Sequence, residues 1–279
     1  MRVRLAQAPV LGVREPAILS GGAGMKRVKQ RRFSGAVCEQ IVFNVRESTD
    51  AKTAKPRRPR FQTDEEREEF NNEISRKKFT HMINGTFTTA GYYSTLTFST
   101  EYEIHTAAEA RRERKNFYRR ITRKYPDAKV VIVYGRGKTT SRFHLHMISE
   151  GVPIEEIGKI WGRGSVIEIK QLRAHNYYVD QKTGELVDHG ADWTALASYM
   201  HAHWRKEFGG HRWLASSNVR EPEAEAPTEA IREYDEKHPP VAPKGFVLVE
   251  TKATKYGYIY YKYVRTPEKK NQRSERRII

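Results

Sequence analysis

The chain has 279 residues, with 51 Lys and Arg against 34 Asp and Glu, a formal net charge of +17 and a pI near 9.8. That excess of positive charge points to a polyanionic partner. The lone cysteine, Cys38, excludes a disulfide scaffold or a cysteine-based zinc finger and suits a reducing cytosol, and no apolar run approaches the ~20 residues that cross a bilayer.

Residues 1–60 carry 14 Lys and Arg against four acids, with the glycine-rich run 21–24 and the basic run 55–60. A segment of this composition has little to bury, so a basic, flexible N-terminal arm is expected here, with only Ile41-Val42-Phe43 suggesting a short docked strand. Arg14 and Glu15 interrupt the first apolar residues, which argues against a signal peptide. A folded domain is expected over residues 61–265, and a charged tail over 266–279.

Within that domain, Thr63 followed by Asp64, Glu65 and Glu66 predicts a capped helix over 63–83, with Phe70, Ile74 and Met82 turned inward. Residues 92–99 alternate and are rich in β-branched and aromatic side chains, which predicts a strand. Thr106 and Glu109 form a second capping box, opening a helix that lasts to Pro126 and turns Phe117 and Ile121 toward the core. Its many arginines, Arg119 and Arg120 among them, read as a solvated face or as a phosphate grip.

Residues 129–134 predict an apolar strand. The following Gly135-Arg136-Gly137-Lys138-Thr139-Thr140 is no phosphate loop, because Ile132 stands where the first glycine belongs and a strand, not a helix, comes next. It reads as a basic hairpin turn, with Arg136 and Lys138 either near a functional site or simply on the surface. The next strand alternates: Phe143, Leu145 and Met147 share one face, and His144 and His146 share the other with Arg142 at its start. Two imidazoles one strand repeat apart can hold one divalent metal, although a half-buried strand can also carry two histidines without one.

A short helix begins at Pro153, with Ile154, Ile157, Ile160 and Trp161 on one side, and a strand follows near 165–172. Residues 173–190 read as an irregular polar loop. The next helix places Tyr199 and His203 one turn apart on the same side, beside the stripe Leu196, Met200 and Trp204. One helix could thus offer a nucleophile and a third metal ligand together, while His201 points off that face. An acidic, proline-containing excursion over 221–240 precedes a last strand pair near 245–264, whose tyrosines read as packing or as base-stacking groups. The expected fold is α+β, a mainly antiparallel sheet of about five or six strands with helices packed on it and the histidine strand near its centre.

Taken in order, Tyr93-Ser94-Thr95-Leu96-Thr97-Phe98, residues 135–140, His144-Leu145-His146-Met147, Leu196-Ala197-Ser198-Tyr199 with His203-Trp204, and Tyr256-Gly257-Tyr258 resemble the HUH (His-hydrophobic-His) endonucleases, most closely the rolling-circle replication initiators of plasmids and mobile elements of Gram-positive bacteria. The resemblance implies an RRM-like nuclease fold and a metal-dependent nickase. Tyr199 would attack a scissile phosphodiester in single-stranded or melted origin DNA, become linked to the 5′ phosphate and leave a 3′ hydroxyl for a host polymerase. His144 and His146 would hold Mg²⁺ or Mn²⁺, a separate helicase would assist, and no membrane would be involved. Arg119, Arg120, Arg136, Lys138 and Arg142 are the expected DNA-binding residues. Two departures stand out: the strand before the His pair has no acidic ligand, and Ala202 occupies the place where many initiators carry lysine three residues after the tyrosine. His203 would fill the ligand set, similar to single-tyrosine transposases. A conjugative relaxase, a single-tyrosine transposase and a non-enzymatic basic nucleic-acid binder are the competing expectations.

Overall fold

The structure, a computed structural model, describes residues 24–56, 59–137, 141–164, 167–179, 183–204, 209–254 and 257–265. In chain order these form β1 (Met25–Ser34), β2 (Val37–Arg46), α1 (Asp64–Thr86), β3 (Tyr92–Thr97), α2 (Ala107–Lys124), β4 (Lys129–Arg136), β5 (Phe143–Glu150), α3 (Ile154–Trp161), β6 (Ile167–Gln171), β7 (Tyr177–Val179), β8 (Leu186–Asp188), α4 (Thr194–Ala202), β9 (Trp213–Ala215), β10 (Thr228–Glu229), β11 (Phe246–Ala253) and β12 (Tyr258–Arg265). The fold is α+β and every strand pair is antiparallel. The strands make two five-stranded sheets and a separate β7–β8 hairpin, not one sheet. The first sheet is ordered β10-β1-β2-β12-β11 and the second β6-β3-β5-β4-β9, with the histidine strand β5 in the middle of the second.

Both faces of the second sheet are covered. Phe143, Leu145 and Met147 of β5 join Ile132 and Tyr134 of β4, Phe117 and Ile121 of α2, and Ile157 and Trp161 of α3 in one core. The opposite face, which carries His144 and His146, continues through Val131, Val133 and Ile148 into a second core with Phe79, Met82 and Ile83 of α1 and Ala197 and Met200 of α4. The period-2 pattern of β5 therefore decides which side of the sheet the imidazoles meet.

The helix starts follow their caps. Thr106 and Glu109 form a complete capping box. At α1 the Thr63 side chain accepts from the Glu66 backbone N–H, but Glu66 reaches back to the Gln62 N–H instead of Thr63. Inward positions were less well anticipated, for Ile74 and Ile154 are exposed while Ile157, Trp161 and Met82 are buried.

The flexible-arm expectation is overturned for residues 25–46. β1 and β2, ten residues each, form a hairpin, and β2 pairs from Val37 to Phe43 with β12, more than two hundred residues later in the chain. The charges misled because their partners are distant. Arg31 meets Glu225, Arg32 meets Glu221 and Lys26 meets Glu229, so the acidic stretch expected as a surface excursion neutralises this hairpin and adds β10 to its edge. Cys38 is buried in this sheet, and burial pushes its thiol up to about 12. Residues 173–190 likewise contain the β7–β8 hairpin rather than an irregular loop. The tail at 266–279 lies outside the described residues. No helix among the described residues is long and apolar enough to cross a membrane.

Candidate metal and tyrosine site

Strand pairing builds the floor of the site. His144 stands opposite Thr97 on β3 and Gly135 on β4, and His146 opposite Thr95 and Val133. Gly135, expected in a turn, is within β4, and its missing side chain is structural. A Cβ there would come within 2.7 Å of His203 Nδ1. The glycine is the gap through which His203 reaches the sheet.

α4 forms the roof. Its start is fixed by Asp192, which is fully buried and accepts the Thr194 N–H at 3.0 Å, a carboxylate at the positive end of the helix. Lys262 of β12 donates to the same carboxylate at 2.6 Å, so the first sheet braces the helix. Ala197 and Met200 bury the inner side, which leaves Tyr199 half exposed over the histidines. His203 is the helix C-cap and keeps right-handed helical dihedrals, so it stays one turn beyond Tyr199 on the same side.

The three imidazoles converge. One ligand atom from each of His144, His146 and His203 lies within 4.8 Å of the others, a group that could hold a metal ion. Ring centroids are 4.7 Å apart for His144 and His146, 5.3 Å for His144 and His203, and 4.2 Å for His146 and His203. The Tyr199 ring is 5.4 Å from His146 and 4.5 Å from His203.

The donors are suited to a cation. His144 Nδ1 lies 3.4 Å from the Arg142 carbonyl oxygen and His146 Nδ1 lies 2.7 Å from Tyr93 Oη, which leaves Nε2 of each ring as the ligand. His146 Nε2 is buried without a hydrogen-bond partner. A buried polar atom left unmatched costs free energy, and a bound metal would satisfy it. Burial, with His203 and His144 as like neighbours, pushes the His146 imidazole down to about 2, and burial also lowers His144. Neutral rings are the form that coordinates metal.

A cleft of about 420 Å³ opens beside this group, lined by Tyr93, Thr95, Thr97, Glu168, Lys170 and Leu196 together with His144, His146 and Tyr199. None of the first five was picked out as a site residue from sequence. Tyr93, Thr95 and Thr97 share the histidine face of β3, a two-residue alternation that could have singled them out once β3 was paired with β5. Glu168 pairs across β3 with Thr95, and no local signal marks it.

The arginines divide. Arg136 ends β4 and donates to the Ser141 carbonyl, and Arg142 donates to the Phe98 carbonyl and faces Glu103 at 3.3 Å, both at the end of the strands nearest His144. Lys138 lies outside the described residues. Arg119 and Arg120 are not brought to the site. They belong to α2, which packs on the other face of the sheet, and Arg120 caps α3 by donating to the Ile160 and Trp161 carbonyls. The tyrosines of the first sheet and of the β7–β8 hairpin lie apart from the histidine group. Tyr260, Tyr261 and Tyr263 are buried in the first sheet, and Tyr177 and Tyr178 sit on the β7–β8 hairpin, where Tyr178 stacks on His189. His201 turns away to Ser75 and Arg212, as its position on the helix predicts.

No family model matches the chain, and no curated protein or solved structure matches it either.

Proposed function

We propose that the protein is a rolling-circle replication initiator that nicks and religates single-stranded or melted origin DNA through a phosphotyrosine intermediate. The observation that carries this reading is the convergence of Tyr199 with a three-histidine group brought together from a central strand and a later helix. Basic composition alone would suit any nucleic-acid binder. A half-exposed phenol beside three converging imidazoles is a constellation that suits phosphodiester transfer.

In the forward step the Tyr199 oxygen forms a bond to phosphorus and loses its proton, the bond from phosphorus to the 3′ oxygen breaks, and that oxygen takes up a proton. The 5′ phosphate stays on the protein, and the free 3′ hydroxyl is the primer for a host polymerase, with a separate helicase opening the duplex. Religation is the same step reversed. A divalent cation held by His144, His146 and His203 would polarise a non-bridging phosphate oxygen and offset charge in the transition state. An all-imidazole set accepts Mn²⁺ better than Mg²⁺, which prefers oxygen ligands, so Mn²⁺ binds more tightly while either supports cleavage. Arg136 and Arg142 grip backbone phosphates on the His144 side, and affinity falls steeply with salt.

A single-tyrosine transposase or relaxase would use the same chemistry on another DNA end. The specific observation in favour of the transposase is His203, which completes the ligand group from four residues after Tyr199.

The test incubates the full chain with a labelled single-stranded origin oligonucleotide and Mn²⁺. A covalent protein–DNA adduct is expected, with Tyr199→Phe reducing its rate by about 10³-fold or more. Binding with no adduct in the wild-type protein would leave a non-enzymatic DNA binder. Whether a plasmid carrying the gene still replicates after its deletion separates initiator from relaxase or transposase.

A further inference from the structure

We propose that Tyr93 is a positioning residue that holds His146 in its metal-binding tautomer. The inference rests on the metal and nucleophile reading above, and it concerns a residue to which the resemblance assigns no role.

Tyr93 stands on β3, on the face of Thr95 and Thr97, and its ring stacks on His146 with centroids 5.8 Å apart and planes 14° apart. Its oxygen has two hydrogen-bonding neighbours. His146 Nδ1 is at 2.7 Å, and the Thr95 hydroxyl donates to it at 3.1 Å.

Counting protons gives the direction of each bond. A phenol offers one O–H and two lone pairs. When His146 uses the Nε2 lone pair for a cation, its proton sits on Nδ1 and is donated to the Tyr93 oxygen. Thr95 donates to the same oxygen, so both lone pairs are occupied and the phenol oxygen is fixed as the acceptor for the ring N–H. One side chain thereby sets the tautomer and the orientation of a ligand ring.

The experiment uses Tyr93→Phe in the full chain, which keeps the ring stack and removes only the hydroxyl. The first measurement is the Mn²⁺ dissociation constant, read from free Mn²⁺ by electron paramagnetic resonance. It is expected to rise by about 10-fold, the lower end of what losing an outer partner of a metal-bound histidine costs. The second is the imidazole N–H signal of His146 in Zn²⁺-loaded protein by nuclear magnetic resonance, expected to be slow to exchange in the wild type and fast in the variant. The third is the rate of adduct formation at saturating Mn²⁺, which is expected to return toward the wild-type rate, because the lost hydroxyl acts through metal affinity. A variant with wild-type Mn²⁺ affinity and an unchanged His146 signal overturns the proposal, whatever the wild-type chain does to DNA. Should the wild-type chain form no adduct, the nickase reading falls, while a tenfold loss of Mn²⁺ affinity still supports Tyr93 as the group that orients His146.

Discussion

His81 and His146 are both buried imidazoles, one between the two sheets and one on the second sheet, yet their surroundings drive them in opposite directions. His81 on α1 lies between Glu39 of β2, with which it pairs closely, and Glu221, 2.8 Å from its Nδ1. Burial alone would lower its pKa, but the hydrogen bonds to Glu221 and Glu39 outweigh that and raise it. His146 has imidazoles and hydroxyls around it, no carboxylate in its cluster, and one ring nitrogen without a partner. The same residue type is biased toward its charged form in one place and toward its neutral form in the other. The first region pairs its buried charges internally, including Lys262 with Asp192 and Tyr260 with Glu39. The site leaves His146 Nε2 open at its centre, and an open ring nitrogen in a group of imidazoles is a place where something can bind.

The sharpest way to break this contrast is to remove the open donor. His146→Ala is expected to weaken Mn²⁺ binding by more than about 100-fold, since it deletes a ligand and not just an outer partner, with little change in melting temperature. Calorimetric titration with Mn²⁺ reads it, and an unchanged affinity would remove the metal from the account. A smaller effect follows from Gly135→Ala. Its new Cβ would crowd His203 Nδ1 at 2.7 Å and its Cβ at 2.9 Å, so the third ligand must shift. The expected outcome is about 10-fold weaker Mn²⁺ binding with about 1–3 kcal/mol lower stability from overpacking. A structure of the variant with His203 in place would contradict the role given to the glycine.

The mildest effect belongs to His81, and it depends on pH. Because its pKa in the folded state is raised above the unfolded value of about 6.5, its stabilisation is fully present below that value and is lost as pH rises through the folded value. Denaturant midpoints of wild type and His81→Gln should therefore differ by about 1 kcal/mol or more near pH 6 and converge toward pH 9. A difference that grows with pH would reverse the assignment of His81 as the charged partner. His146, lowered instead, should contribute no such stabilisation at any pH in that range.

Local order was enough for much of this molecule. The alternation of residues 143–147 put the two histidines on one face, the helical repeat put Tyr199 and His203 on one side, and Thr106 with Glu109 marked the start of α2. These relations depend on the geometry of a few consecutive residues, and short-range sterics impose that geometry wherever the segment folds. Charge was the misleading signal. The basic pattern of β1 suggested a mobile arm because its acidic partners, Glu221, Glu225 and Glu229, come almost two hundred residues later. Arginines on α2 looked equivalent to those near β5 until the sheet separated them by face.

What the chain determined alone, then, was the chemistry each segment could offer: two imidazoles from a strand, a phenol and a third imidazole from a helix, and a positively charged surface. Tertiary structure decided that β5 and α4 meet, that Gly135 leaves the space for His203, that Tyr93 reaches His146, and that the first sheet anchors the helix through Lys262 and Asp192. Such contacts join residues far apart in sequence. They form only when strand pairing and burial bring those residues together, so no short window of sequence contains them.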